Sequence, residues 1–259
     1  MRLPFYQVDA FTDRLFGGNP AAVCPLESWL PDAILQNIAA ENNLAETAYF
    51  LSAGDAYQLR WFTPTVEVDL CGHATLASAF VLWRKLGEHR PQIDFDTRSG
   101  RISVRLKGDW MELDFPSRPP ESCQPPAQLR KALGGAPEAV LAARDYLVVY
   151  GSEEEVRALK PDLEGLKQLD RFAVIVTAPG RECDFVSRFF APAQGIDEDP
   201  ATGSAHCTLT PYWSQRLAKK RMHAKQLSQR GGEMVVEDRG SRVGIAGQAV
   251  LYLEGFVEI

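Results

Sequence analysis

The chain has 259 residues, 45% of them hydrophobic and 24% charged, and a formal net charge of −6. That length holds one large domain or two small ones, and either arrangement can bury a substantial core. The mild acidity argues against a nucleic-acid backbone or an anionic membrane as partner, because both require clustered positive charge.

The dense basic run Lys219-Lys220-Arg221, with Lys225 following, reads as a solvated helix end. The first fifteen residues carry Asp9 and Asp13 without a basic-then-apolar pattern, so no signal peptide is expected. The longest apolar stretch, Ala74 to Trp83, is too short to cross a bilayer. Five scattered cysteines (Cys24, Cys71, Cys123, Cys183, Cys207) read as reduced thiols, and a cytoplasmic location is expected.

In chain order, Pro31 to Asn43 predicts a helix, with Pro near its start, Ile34, Leu35, Ile38 and Ala39 as its apolar positions, and Asn at its end. The helix then gives way to a mostly apolar strand around Glu46, and Tyr57 to Phe62 predicts another strand. Gly72 to Leu86 is apolar around most of its circumference and stops at Gly87, the pattern of a helix buried on all sides. Arg101 to Leu106 alternates strictly, and Trp110 to Phe115 follows across Lys107-Gly108-Asp109, which predicts an antiparallel hairpin.

The proline-rich stretch Ser117 to Pro126 reads as a linker. Leu147 to Tyr150, Phe172 to Thr177 and Gln248 to Leu253 predict further strands. Gly203 to Leu217 predicts a second buried helix, which Pro211 should kink or restart. Continuous βαβ alternation is absent, so the fold class is α+β rather than a doubly wound sheet.

The two buried helices match one another. Trp61-Phe62-Thr63-Pro64 precedes the first and Phe189-Phe190-Ala191-Pro192 the second. Phe62 and Phe190 are 128 residues apart, Gly72 and Gly203 are 131 apart, and Trp83 and Trp213 are 130 apart. A near-constant offset of half the chain points to an internal duplication. It predicts an N-terminal half over residues 1–117, onto which the last strand (about 250–259) packs back, and a C-terminal half over 118–259.

Both helices open on a Gly, in Asp69-Leu-Cys-Gly-His73 and in Glu198-Asp-Pro-Ala-Thr-Gly-Ser204. A helix start exposes unpaired N–H groups and the positive end of the dipole, and Gly lets a ligand approach closely. Gly72 and Gly203 are therefore candidate carboxylate cradles that together would frame a cleft. Tight turns are the plainer reading of either glycine alone. His73, in the first turn, is expected to be a neutral hydrogen-bonding ring because the dipole disfavours the imidazolium.

Ser204 either donates its hydroxyl to a ligand or caps its helix. Asp199 sits in Asp197-Glu198-Asp199, whose carboxylates either cap the helix or raise one another's proton affinity. Glu46 lies on a wet strand face or in an apolar pocket. Burial raises a carboxyl group's proton affinity toward the range that acid/base catalysis at neutral pH requires. No GxGxxG follows a strand, and neither a Walker A sequence nor a Gly-x-Ser-x-Gly elbow is present. Cys71-x-His73 and His206-Cys207 do not match zinc spacing, so neither a metal nor a cofactor is assigned.

Six ordered motifs carry a family resemblance: Val8-Asp-Ala-Phe-Thr12, Gly17-Gly-Asn-Pro20, Ala45-Glu-Thr-Ala48, Phe62-Thr-Pro64, Cys71-Gly-His-Ala-Thr75 and Glu198-Asp-Pro-Ala-Thr-Gly-Ser204. The chain resembles the PhzF (phenazine biosynthesis-like) isomerase family from its first strand to its last. It is most similar to the subgroup of phenazine biosynthesis-like domain-containing proteins, through Arg60-Trp-Phe-Thr-Pro64 and Tyr212-Trp-Ser-Gln215.

The resemblance implies a diaminopimelate epimerase-like fold, with two similar halves that each wrap a sheet around a central helix. It implies Glu46 as catalytic acid/base, with His73 and Asp199 holding or relaying protons. Gly72, Gly203 and Ser204 would bind the substrate carboxylate, and the assembly would be a homodimer. In the phenazine pathway such an enzyme isomerises a dihydro-hydroxyanthranilic acid by moving a proton between ring carbons.

Two-thiol epimerases of this fold place a second cysteine where Thr202 stands, so Cys71 reads as a packed neutral thiol. The leading expectation is a proton-shifting isomerase of a small cyclic or unsaturated carboxylate that needs no cofactor. The alternatives are a catalytically silent small-acid binding or protein-interaction module and an amino-acid epimerase.

Overall fold

The computed structural model describes residues 1–259. The chain divides into two compact units, Met1–Asp114 with Ala246–Ile259, and Phe115–Ile245. The elements in order begin with β1 (Arg2–Ala10), β2 (Asn19–Pro25), α1 (Asp32–Asn42), β3 (Glu46–Ala53), β4 (Ala56–Phe62), β5 (Glu67–Val68), α2 (Gly72–Arg84), β6 (Gln92–Thr97), β7 (Gly100–Lys107) and β8 (Trp110–Pro116). There follow β9 (Glu121–Ser122), α3 (Ala127–Leu133), β10 (Ala139–Ala142), β11 (Tyr146–Val149), α4 (Glu153–Ala158), α5 (Leu163–Lys167), β12 (Val174–Pro179) and β13 (Phe185–Phe190). The last elements are α6 (His206–Leu217), β14 (Arg221–Gln226), β15 (Gly232–Asp238), β16 (Arg242–Gly247) and β17 (Ala249–Glu258).

In the first unit β17 pairs antiparallel with β1, and β1 with β2. From there β2/β3 is parallel, β3/β4 antiparallel, β4/β6 parallel, and β6/β7 and β7/β8 antiparallel. The second unit repeats the alternation: β10/β11 antiparallel, β11/β12 parallel, β12/β13 antiparallel, β13/β14 parallel and β14/β15 antiparallel. One buried helix follows β4 and another follows β13, each crossing to a parallel partner strand. The fold is α+β and duplicated, as the matched helix motifs indicated.

The first unit buries α2 almost completely, from Gly72 to Leu82 with Phe80 the exception. A helix without a wet face must hide its polar groups. Thr75 Oγ1 donates back to Cys71 O at 2.5 Å, and Ser78 Oγ to Ala74 O at 2.8 Å. The helix ends at Arg84, before Leu86, and Gly87 turns the chain at a φ of 72°. On the sheet's other layer α1 packs Leu35, Ile38 and Ala39 against Tyr49 and Phe62.

The second unit encloses α6. A 3₁₀ turn over Gly203–Ala205 leads into the helix, which passes through Pro211 without a break. Proline has no N–H with which to bond the carbonyl of Cys207 four residues back. That carbonyl instead accepts from the backbone N–H of Arg118 at 2.9 Å, so the proline-rich segment satisfies the orphaned group and the helix runs on without a restart. Trp213 stacks on Phe185 with centroids 5.6 Å apart and donates its indole N–H to Thr177 Oγ1 at 2.9 Å. A second cluster, including Leu133, Tyr150, Val156 and Leu166, packs the short helices α3, α4 and α5 onto the strands. The strand expected from Phe172 starts at Val174, where pairing with Phe190 begins; Phe172 lies exposed beneath the Arg144 guanidinium, 4.4 Å from its ring centroid. No helix is long and apolar enough to cross a membrane.

Candidate active site

In the first unit Glu46 opens β3, where it faces Ala21 of the parallel neighbour β2. The left-handed Asn43 (φ 49°) ends α1 and turns the chain into that strand. His73 is the second residue of α2, whose start carries no side-chain cap. Glu46 is 8% exposed and His73 5% exposed, so the apolar-pocket reading of Glu46 holds and the wet-face reading does not. Glu46 Oε2 stands 3.0 Å from His73 Nε2. It accepts no regular hydrogen bond, since the contact is off line.

Cys71 Sγ lies 3.5 Å from His73 Nδ1, and the Asn19 carboxamide nitrogen is 3.2 Å from that same Nδ1. Asn19 is placed by the turn before it. Gly18 has a φ of 59°, and a Cβ there would come within 2.1 Å of Ala10 O, so only glycine makes this approach.

Burial disfavours a charged His73, but Cys71 and Glu46 outweigh it and hold the ring well above its ordinary proton affinity. Burial first, and the Glu46 carboxylate second, push the Cys71 thiol up to about 11, so it is a neutral S–H at physiological pH. This upward direction runs against the neutral ring expected from the helix dipole, and the Glu46 carboxylate 3.0 Å away contributes to it.

In the second unit Asp199 is 7% exposed and its backbone N–H donates to Phe189 O at 3.0 Å. The Thr202 hydroxyl donates to its Oδ2. Gln226, at the end of β14, clamps this segment. Its Oε1 accepts from Thr202 N at 2.8 Å, and its Nε2 donates to Asp199 O at 2.7 Å and to Thr202 Oγ1 at 3.1 Å.

The acidic triplet does not cluster. Glu198 forms a two-pronged pair with Arg188 (2.7 and 3.0 Å), Asp197 is exposed, and Asp199 alone turns inward. Ser204 does not cap its helix; its Oγ accepts from Arg144 Nη2 at 3.3 Å. Arg144 is itself held two-pronged by the buried Asp145, at 2.9 Å for each contact. His206 Nδ1 donates to Thr202 O at 2.9 Å. Burial pushes its proton affinity down to about 4, so this ring is neutral.

The structure thus joins Glu46 and His73 directly, sets Gly72 at the same helix start, and places Asp199, Gly203 and Ser204 together at the other unit's helix start. Three contributors escaped the sequence reading. Asn19 was visible only as part of Gly17-Gly-Asn-Pro20, while Arg144 and Gln226 carry no local signal at all.

A buried acid–imidazole pair stands on a duplicated α+β scaffold, and the comparisons make the chain an isomerase. The chain belongs to the PhzC-PhzF family of phenazine biosynthesis-like proteins, whose model matches residues 8–255. An uncharacterized isomerase of Pseudomonas aeruginosa is 53% identical over 259 residues, covering 100% of both chains. The human phenazine biosynthesis-like domain-containing protein is 40% identical over 285 residues, covering 98% of this chain and 99% of that one. A solved PhzF-family phenazine biosynthesis protein from Enterococcus faecalis superimposes with a TM-score of 0.98 at 46% identity over 100% of each chain. A hydroxyproline epimerase from Agrobacterium vitis shares the fold alone, with a TM-score of 0.60 at 10% identity over 99% of this chain and 91% of that one.

Proposed function

We propose that this isomerase moves a proton on a small cyclic or unsaturated carboxylate without a cofactor, with Glu46 as general acid/base. The observation that carries the reading is the buried Oε2 of Glu46, 3.0 Å from His73 Nε2 and otherwise without a hydrogen-bond donor. Such an oxygen keeps a lone pair for a substrate C–H. The neighbouring imidazolium steadies the carboxylate between turnovers.

Glu46 takes the proton from one carbon and returns it to another, while His73 and Asp199 hold or relay protons. Side chains able to donate and accept suffice for such a shift, because the substrate's own unsaturation carries the electrons. The backbone at Gly72 and Gly203 and the Ser204 hydroxyl bind the carboxylate. Arg144 Nη2 donates to Ser204 Oγ, which aims the hydroxyl's own proton outward and adds positive charge beside it.

The reading includes a second copy of the chain as partner, supported by exposed Tyr252, Leu253 and Phe256 on β17; light scattering tests it. It also includes the cytoplasm as location, supported by five free cysteines.

The deciding experiment incubates the protein with candidate carboxylates in deuterated water and reads mass gain, with Glu46→Gln as control. A product that gains deuterium with the native chain and not with the variant is expected. Equal turnover by the variant would remove Glu46 from the mechanism. Binding of acids without any exchange would favour a silent binding module.

A further inference from the structure

Within the second unit, Arg144 holds donors that the protein does not use. A guanidinium carries five N–H groups in one plane. The Nε–H and one Nη2–H go to Asp145 Oδ1 and Oδ2 at 2.9 Å each. The contact with Ser204 Oγ at 3.3 Å therefore takes the other Nη2–H. Both Nη1 protons are left without a protein acceptor. In the planar fork one of them runs parallel to the outer Nη2–H, so it points to the same side as Ser204 Oγ.

This guanidinium is fixed before any ligand arrives. The Asp145 side chain that grips it is 1% exposed, and the Phe172 ring lies under its face, 4.4 Å from the centroid. The Arg144 side chain keeps 31% exposure, so a solute can reach its outer edge. A donor held in place in advance loses little entropy on binding. A second cation stands close by. The backbone N–H of Arg118 donates to Cys207 O, three residues beyond Ser204, and the charges of Arg118 and Arg144 both oppose the effect of burial on the Cys207 thiol. Arg118 forms no ion pair, and its buried Nη1 has no partner. Of the two guanidinium groups, only Arg144 has a carboxylate partner, so this part of the unit suits an incoming anion.

We propose that Arg144 is the specificity-determining residue for an ionised acid group: its free Nη1–H and the Ser204 hydroxyl donate together to one carboxylate oxygen, and neutral isosteres such as amides are rejected. This selection rests on the reading that Ser204 meets the substrate's acid group, and it adds that the ligand's charge, rather than its outline alone, is what is read. A hydrogen bond between a charged donor and a charged acceptor is about twice as strong as a neutral one. An amide offers a neutral oxygen, and its NH₂ group turned to this edge would face the Arg144 protons donor to donor.

The test titrates the full chain by calorimetry with benzoate and with benzamide, which share a planar outline and differ in charge. The native chain should bind benzoate at least about tenfold more tightly, as expected for a hydrogen bond to a charged group. Added salt should weaken benzoate and leave benzamide unmoved. Arg144→Gln should abolish the preference while benzamide binding stays, which a merely misfolded variant would not show. Arg144→Lys, which keeps the charge and loses the fork, should restore only part of it and keeps the test decisive if Arg144→Gln does not fold. Failure of benzoate to bind, equal binding of the two ligands, or an undiminished preference in folded Arg144→Gln would overturn the proposal. Ser204→Ala separates the two readings. If it weakens benzoate and Arg144→Gln does not, the role of Ser204 stands and that of Arg144 falls; if it leaves benzoate unchanged, both fall. No turnover is involved, so a failed deuterium exchange leaves the selection standing.

Discussion

The two units share a strand alternation and a buried helix that opens on glycine, yet the chemistry at those helix starts is opposite. Each start ties its fourth residue back to the residue before the glycine: Thr75 Oγ1 to Cys71 O, and His206 Nδ1 to Thr202 O. In the first unit the remaining groups are a carboxylate and an imidazole 3.0 Å apart, with the ring's proton affinity raised. In the second, the histidine is sealed in and neutral. The acid Asp199 is bound up with Thr202 and Gln226, and the added charge beside Ser204 is that of Arg144. Duplication supplied one scaffold twice; divergence made the first start a proton-handling group and the second, on our reading, chiefly an anion-binding one.

Enzyme assays should break or sharpen this contrast most strongly. Glu46→Gln is expected to lower kcat by about 10²–10⁴-fold, the usual worth of a general acid/base group, with little effect on substrate binding. Ser204→Ala and Arg144→Gln should instead raise KM with kcat nearly unchanged, because each loses binding common to ground and transition states. A collapse of kcat in Arg144→Gln would erase the division of labour. Asp199→Asn tests the border, and a loss in kcat smaller than that of Glu46→Gln is the expected outcome.

Stability should separate the units next. Gln226→Ala removes three hydrogen bonds from a fully buried segment and leaves Thr202 N–H and Asp199 O without them. A cost of about 3 kcal/mol in urea unfolding is expected from stranded buried groups. A variant as stable as the native chain would show that Gln226 is no clamp.

The histidines predict opposite pH slopes. His206 binds no proton in the folded chain until about pH 4, whereas in the unfolded chain it does so near 6.5. The unfolded state then holds more protons across that window, so its contribution to stability falls as pH drops from 6.5 toward 4. At 1.36 kcal/mol per pH unit this amounts to about 3 kcal/mol. His73 is raised instead, so its contribution is fully present below about 6.5 and is lost as pH rises through its folded-state value. Denaturant titrations should show the alkaline slope vanish in His73→Gln while the acid slope persists; loss of both slopes together would contradict separate origins.

The smallest effect is expected from Asn19→Ala, which frees the back of the His73 ring. About 1 kcal/mol, or a fewfold loss in kcat that Asn19→Asp does not restore, is the anticipated result.

Much of the fold was legible because its signals are local. The strict alternation of Arg101 to Leu106 became β7, the apolar circumference after Gly72 became α2, and matched offsets exposed the duplication. Short helices such as α4 and α5, of six and five residues, hold too few turns for a period to show. The restart allowed for at Pro211 does not occur for a related reason: the sequence shows the missing N–H but not the Arg118 amide that replaces it.

Within the site, residue order alone determined where two helices begin on glycine and which acid, imidazole and hydroxyl stand near those beginnings, since helix starts and turns follow from neighbours along the chain. Only the tertiary structure decided that the proton affinity of His73 is raised, that Glu198 faces away to Arg188 while Asp199 faces in, and that Asn19, Arg144 and Gln226 contact the candidate groups. Coulomb attraction, burial and hydrogen bonding act through space between strands distant in sequence, and no local pattern encodes a 3.0 Å approach between residues 46 and 73.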